Sequence, residues 1–352
     1  MELTPAAERL LLSVARPIVL ANARVELRGV APDNSDLGVM LPYTPLHHLL
    51  FAGGAPRCLV MTSGNRSSEP IAYTDEDARA TLADIADAML VGERPIARRV
   101  DDSVARDGTF GPAILRRSRG YAPGAAALLP SGRPVLAVGA DLKNTITLVV
   151  GGQAYVSQHI GDLEHAGAAD AFRETVRDLL AMYDVDTSDL IVVSDRHPQY
   201  VSTDFAAALP VTRRLQVQHH RAHVASVLAE HAALDERVLG VALDGTGYGD
   251  DGTIWGGEFF AGSVGGGFER VAHLYPSMLP GGDAAARYPV QAAAGMLAAI
   301  NIAPDAIRTP LGFPDRYARA SALLAKGVRT FKTTSAGRLF DAAAAIAGLS
   351  AR

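Results

Sequence analysis

The chain has 352 residues, 48% hydrophobic and 20% charged, with a formal net charge of -5; this is enough for about two domains with buried cores and is an ordinary soluble globular balance. The acidic balance argues against a broad nucleic-acid surface, and no apolar run reaches the roughly 18 residues that a membrane span needs. Met1-Glu2-Leu3-Thr4-Pro5 lacks the basic-then-apolar layout of a signal peptide, and the single cysteine, Cys58, excludes an internal disulfide or a cysteine-rich zinc cluster within this chain; a cytoplasmic protein is expected, with Cys58 in its core.

Residues 1–127 read as one α/β unit. Arg16-Pro17-Ile18-Val19-Leu20 is expected to be a short strand. Gly38-Val39-Met40-Leu41-Pro42 leads into a turn and a helix from Leu46 to Phe51, and Arg57-Cys58-Leu59-Val60-Met61 reads as a buried strand. That strand would deliver Thr62-Ser63-Gly64-Asn65, small hydroxyl and amide side chains beside a glycine. Such a set allows close approach of an anion, but it is also common in plain turns. Thr74 to Ala86 reads as a helix capped by Thr74, with Glu76 and Asp77 in its first turn. Seven arginines crowd between Arg94 and Arg119, either as a solvated face or as phosphate ligands.

Ala122 to Pro134, rich in Pro, Gly and Ala, is the expected boundary. The second domain, residues 128–352, opens with two apolar strands joined by a polar turn, from Pro134 to Val150. The same plan recurs a hundred residues later: Val238 to Leu243, a Gly-rich turn Asp244 to Gly252, then Thr253 to Phe260. The repeat suggests internal duplication. Each hairpin is either an ordinary Gly-rich turn or a phosphate loop, with Lys143 adding a point charge to the first. Between them a helix from about Ala168 to Met182 and a strand from Leu190 to Ser194 are expected. His197 reads as a structural histidine, Trp255 as core, and Ser335 to Ala347 as a helix.

The sharpest local signal is Gln218-His219-His220-Arg221-Ala222-His223. His219 and His223 are about one helical turn apart, so both rings would leave the same face. Asp244 stands at the expected end of an apolar strand, where open α/β sheets tend to place ligands. Two imidazoles and a carboxylate suit one Fe or Zn ion with positions left for a substrate oxygen. The alternative is that the histidines cap or line a helix without metal.

Several motifs carry a resemblance in their order along the chain: Leu41-Pro42-Tyr43-Thr44-Pro45-Leu46-His47-His48, Thr62-Ser63-Gly64-Asn65, Asp101-Asp102-Ser103-Val104, Arg116-Arg117-Ser118-Arg119-Gly120-Tyr121-Ala122-Pro123, Leu142-Lys143-Asn144-Thr145 and Ser157-Gln158-His159-Ile160-Gly161-Asp162-Leu163. Together with the histidine stretch they resemble the HypF carbamoyltransferases of nickel-iron hydrogenase maturation, over essentially the whole chain. The resemblance implies an α/β fold in which a twisted YrdC-like domain precedes a duplicated TsaD-like domain of the actin and sugar-kinase (ASKHA) class. It implies that the first makes carbamoyl-adenylate from carbamoyl phosphate and ATP, with Mg accompanying the nucleotide. The second would pass the carbamoyl group to the C-terminal cysteine thiolate of HypE, and that thiocarbamate would later become cyanide.

By the same resemblance Ser63, Asn65, Ser103 and Arg117 would surround the nucleotide and carbamate. Lys143, Asn144, Thr246 and Gly247 would hold the phosphate of the adenylate, and His219, His223 and Asp244 the metal. Three departures stand out. The family carries an acylphosphatase domain, a four-cysteine zinc-finger region and a basic strand ahead of this point. It continues past Gly337-Arg338-Leu339-Phe340-Asp341 into a Gly-rich loop and a further aspartate ligand, so the chain is expected to be incomplete at both ends. Its usual run of three histidines reads His219-His220-Arg221 here. An antibiotic-type O-carbamoyltransferase with the same two domains is an alternative, disfavoured by Ile254-Trp255-Gly256-Gly257-Glu258-Phe259. A non-catalytic nucleotide- or RNA-binding fragment is another, since YrdC-like domains resemble RNA binders.

Overall fold

The computed structural model describes residues 2–66, 69–282, 284–308 and 311–349. They form two compact units, Met1–Val193 with Tyr200–Arg214, and Ser194–Gln199 with Leu215–Arg352.

The first unit begins with α1 (Pro5–Leu12), whose N-cap Thr4 accepts the Ala7 N-H and whose first position is Pro5. Its Ala7 and Leu11 pack on Val19 of β1 (Ile18–Asn22). Then come β2 (Asp36–Val39), α2 (Pro45–Ala52), α3 (Asp75–Leu82), β3 (Val104–Gly108) and β4 (Gly111–Arg116). The sheet order is β2-β1-β3-β4, parallel only between β1 and β3. Thr74 caps α3 as the sequence suggests, accepting the Asp77 N-H.

A second sheet follows: β5 (Ala125–Leu128), β6 (Val135–Ala137), β7 (Thr147–Val150), β8 (Gln153–Val156), β9 (Ile191–Asp195) and β10 (Arg213–Val217), in the order β10-β9-β6-β7-β8-β5. Strands β6, β7 and β8 form an antiparallel meander, and β6 pairs in parallel with β9. The helix α4 (Ala166–Met182) buries Ala168, Phe172, Val176 and Leu179, the spacing of one helical face. They pack with Leu136, Ile146, Leu148 and Val192, and burying each large apolar side chain stabilises by about 1.5–3 kcal/mol. The helix α5 (Val201–Ala208) follows β9.

The second unit carries α6 (His219–Glu230), β11 (Val238–Tyr248), β12 (Ile254–Ser263), β13 (Gly267–His273), β14 (Ser277–Pro280), α7 (Ala284–Arg287), α8 (Pro289–Ala299), α9 (Pro304–Arg308), α10 (Asp315–Lys326), β15 (Thr330–Thr333) and α11 (Ala336–Ile346). Strands β11, β12 and β13 repeat the antiparallel meander, which is the duplication anticipated from the two hairpins. The α6 residues Val224 and Leu228 pack on Ala242, Trp255 and Phe260; Trp255 is core as expected. A separate alanine-rich core surrounds α8, closed by Phe313 and Tyr317.

Three local expectations fail. Arg57–Met61 forms no strand, and Val60, Met61 and Cys58 are exposed: no strand among the described residues offers it a hydrogen-bond partner, so its apolar composition is not matched by a ladder. The alanines of the expected linker form β5, which pairs with β8 as the edge of the second sheet. Residues Asp244 to Tyr248 continue β11 rather than forming a turn, with a register irregularity between Leu243 and Gly247. No helix among the described residues is long and apolar enough to cross a membrane.

Candidate functional site

The start of α6 is held by Gln218, whose side-chain oxygen accepts the N-H groups of His220 and Arg221 at 2.9 and 3.1 Å. That cap fixes the helical phase, so His219 and His223 leave one face, with Nε2 to Nε2 3.2 Å. His220, Val224 and Leu228 leave the neighbouring, buried face. From β11, at its irregularity, Asp244 brings Oδ2 to 3.1 Å from His219 Nε2 and 3.3 Å from His223 Nε2. The three ligand atoms lie within 4.8 Å of one another.

A residue that sequence reading passed over completes the arrangement. Asp195, at the end of β9, sets its Oδ2 2.7 Å from His219 Nδ1. A proton on Nδ1 shared with Asp195 leaves Nε2 available as a ligand, the usual outer-shell arrangement of a metal-bound histidine. With that tautomer, three lone-pair atoms converge, which is costly unless a proton or a cation lies among them. The residues therefore fit a single borderline cation such as Fe(II) or Zn. The available signal for Asp195 was its place at the end of an apolar strand, the same cue that singled out Asp244.

The local electrostatics agree. Burial opposes charge on His219, but hydrogen bonds to Asp195 and Asp244, and their negative charges, outweigh it and raise its pKa to about 9. Burial also opposes the Asp244 carboxylate. Hydrogen bonds from His219, His223 and the Gly245 N-H overcome that and hold it well below the usual carboxylate range. His220 goes the other way: burial, then the charge of His219, lowers it to about 4. Fully buried near Trp255, His220 is a neutral core residue.

The glycines of β11 serve packing. A Cβ on Gly247 would lie 2.4 Å from His220 Cε1 and 3.2 Å from His219 Cβ, so Gly247 lets α6 sit close to β11. Thr246 beside it is exposed. On the other side, the Ser335 hydroxyl at the N-cap of α11 lies 3.1 Å from the Asp244 carbonyl oxygen and 2.7 Å from that of Gly245.

Other candidate residues lie in the first unit. Ser63, Asn65 and Lys143 line a cavity of about 430 Å³, together with Arg98, Arg99 and Arg116. Asn65 is fixed by its amide N-H groups, which donate to the Arg66 and Glu69 carbonyls at 2.8 and 2.9 Å. Ser103 is fully buried, accepting the Ser118 N-H and donating to the Arg119 carbonyl. Arg117 holds the Tyr121 and Gly124 carbonyls, and burial lowers its pKa. Neither Ser103 nor Arg117 lines the cavity. Asn144 is buried and clamps the Val138 and Ala140 carbonyls.

The arginine crowd is largely structural. Arg106 pairs with Asp36, Arg116 with Asp101 at 2.9 Å, and Arg98 with Asp178 at 2.6 Å. Arg119 meets Asp102, donates to the Ala15 and Arg16 carbonyls and lies over the Tyr43 ring.

Family models match in three consecutive stretches. Residues 2–118 match the Sua5, YciO and YrdC family, described as telomere recombination. Residues 130–230 match the HypF Kae1-like domain, and residues 240–352 the second subdomain of the carbamoyltransferase Kae1-like domain. Carbamoyltransferase HypF of Synechocystis is 42% identical over 97% of this chain and 46% of its own length. That of Rhizobium leguminosarum is 42% identical over 98% and 46%, and a probable one of Methanocaldococcus jannaschii 34% over 96% and 45%. The chain thus spans about half the length of the curated relatives it matches. The crystal structure of a full-length HypF in the phosphate- and nucleotide-bound form superimposes with a TM-score of 0.91 at 39% identity, covering 100% of this chain and 55% of that one. HypF of T. kodakarensis gives 0.84 at 35% identity, covering 98% and 47%.

Proposed function

Because the chain belongs to the HypF carbamoyltransferase family, with a YrdC-like part followed by a Kae1-like part, we propose that it contributes both halves of an ATP-dependent carbamoyl transfer. The first half joins carbamate, left when carbamoyl phosphate loses its phosphate to water, to the α-phosphate of ATP. Pyrophosphate leaves and carbamoyl-adenylate forms, with Mg accompanying the nucleotide. In the second half the C-terminal cysteine thiolate of HypE attacks the carbamoyl carbon, the bond to the phosphate oxygen breaks, and AMP departs. The thiocarbamate is the precursor of the cyanide ligands in nickel-iron hydrogenase maturation.

The second half is assigned to His219, His223 and Asp244, which would hold one Fe or Zn ion. Bound there, the ion would polarise the carbamoyl oxygen. Asp195 orients the His219 ring and selects its tautomer. The backbone around Thr246 and Gly247 lies beside these ligands, as a place for the adenylate phosphate. The observation that carries the reading is the convergence of His219 Nε2, His223 Nε2 and Asp244 Oδ2 within 4.8 Å.

The test is elemental analysis of purified wild-type and His219→Ala protein, with carbamoyl transfer to HypE followed by mass spectrometry. Wild type should retain about one Fe or Zn per chain, and the variant should lose both the metal and, by about a hundredfold or more, the transfer. Equal metal content in the two proteins would sink the assignment.

A further inference from the structure

The hydrogen bond between Asp195 and His219 needs the stretch Ser194–Gln199 and α6 held in fixed positions, since such a bond weakens steeply when its partners are misaligned. One charged bridge reaches both of them and the far end of β11. Asp250, just past that end, accepts through Oδ1 from Nη1 of Arg196, the residue after Asp195. Its Oδ2 lies 2.7 Å from Nη1 of Arg221, which stands between His219 and His223 on α6.

The supports of the bridge are themselves fixed. The turn that carries Asp250 is closed by the Gly249 N-H, which donates to the Thr253 carbonyl at 2.9 Å. Asp251 beside it accepts from the Thr253 hydroxyl at 2.7 Å and from Trp255 Nε1 at 2.9 Å. Arg221 Nε donates to the Phe268 carbonyl at 3.0 Å. The neighbouring charges are engaged with one another: Arg270 Nε lies 2.6 Å from Glu258 Oε2, and its Nη1 4.0 Å from Asp251 Oδ2. The same three segments also meet beside the bridge, where the Gln218 amide donates to the Tyr248 carbonyl at 3.2 Å and the His197 ring stands edge-on to the Tyr248 ring. A lone exposed ion pair contributes little. Here one carboxylate uses both oxygens on guanidinium groups from two other segments, and the Asp250 and Arg221 side chains are only 30% and 29% exposed, so the bridge constrains position.

We propose that Arg196, Asp250 and Arg221 are positioning residues of the metal site. The bridge seats the stretch Ser194–Gln199 on α6 and so sets the contact through which Asp195 orients His219; none of the three is a ligand. This role rests on the assignment of a metal ion to His219, His223 and Asp244.

Zn affinity of the full chain, measured at fixed pH by competition with a chromogenic chelator, tests it in wild type, Asp250→Ala, Asp195→Ala and the double variant. Asp250→Ala should weaken Zn binding about tenfold, the lower end of the loss that follows removal of a group supporting a metal ligand. In the Asp195→Ala background the same change should cost less than about twofold, because the bridge acts through Asp195. A merely structural role would weaken binding equally in both backgrounds. Arg196→Gln removes one arm of the bridge at a side chain that is 43% exposed; it should show the same dependence on Asp195 with a smaller loss, and it gives the comparison if Asp250→Ala does not fold. Asp170→Asn, which breaks an exposed ion pair with Arg173 in the first unit, should leave Zn affinity unchanged. Zn bound by wild type with undiminished affinity in Asp250→Ala and Arg196→Gln, or with an equal loss in both backgrounds, overturns the positioning role alone. No Zn on wild type overturns the metal assignment, and this role with it.

Discussion

His219 is held between two carboxylates, Asp195 at 2.7 Å on Nδ1 and Asp244 at 3.1 Å on Nε2. Without metal it therefore binds a proton tightly, with a pKa of about 9 against an ordinary 6.5. A raised basic pKa stabilises the folded, metal-free chain fully below the unfolded value of 6.5, and that contribution is lost as the pH rises through about 9. Metal must displace the same proton. Apparent Zn affinity should consequently climb about tenfold per pH unit between pH 7 and 9 and then level off, with proton release measurable in buffers of different ionisation enthalpy. Asp195→Asn keeps a hydrogen-bonding group but removes a charge, so the levelling point should move to lower pH. A pH-independent affinity, or a plateau unmoved in the Asn variant, would show that His219 is not titrated by the metal.

The strand β11 shows why glycine runs are ambiguous in a sequence. Asp244 to Gly252 has turn composition, yet the strand continues to Tyr248 because the glycines answer neighbours rather than turns. Gly247 makes room for the His220 ring and the His219 Cβ, and a Cβ on Gly256 would lie 2.6 Å from the Asp244 carbonyl. Gly247→Ala should destabilise by about 1–3 kcal/mol, the usual cost of overpacking a filled site. It should also push His219 away from Asp244. Gly132→Ala, with nothing within 4 Å of the new methyl group, is the control. Equal thermal midpoints for both variants would refute the packing argument. Helices α4 and α11 were legible over nearly their whole length, Ala166–Met182 and Ala336–Ile346, whereas of α6 only the start was, through the one-turn spacing of His219 and His223. Arg57–Met61 misled because composition cannot say whether a partner strand exists, and Asp195 was missed because its role depends on a histidine 24 residues away in the chain.

At the scale of the whole molecule, every proposed metal ligand and its supporting carboxylate belong to the second unit. Asp195 does so through the short stretch Ser194–Gln199, after which the chain returns to the first unit for Tyr200–Arg214. The interval from Asp195 to Asp244 therefore closes through the site although part of it folds elsewhere. Metal binding stabilises whatever cooperative unit contains its ligands, by about 2.7 kcal/mol when free metal is a hundred times the dissociation constant. If the two units open separately, added Zn should slow amide exchange in α6 and β11 by about a hundredfold. It should leave the first-unit core around Leu136, Ile146 and Phe172 unchanged. Exchange measured by mass spectrometry with and without metal separates the alternatives: equal slowing in both cores would mean that the chain opens as one body, and no slowing in α6 would mean that the ion does not sit on His219 and His223.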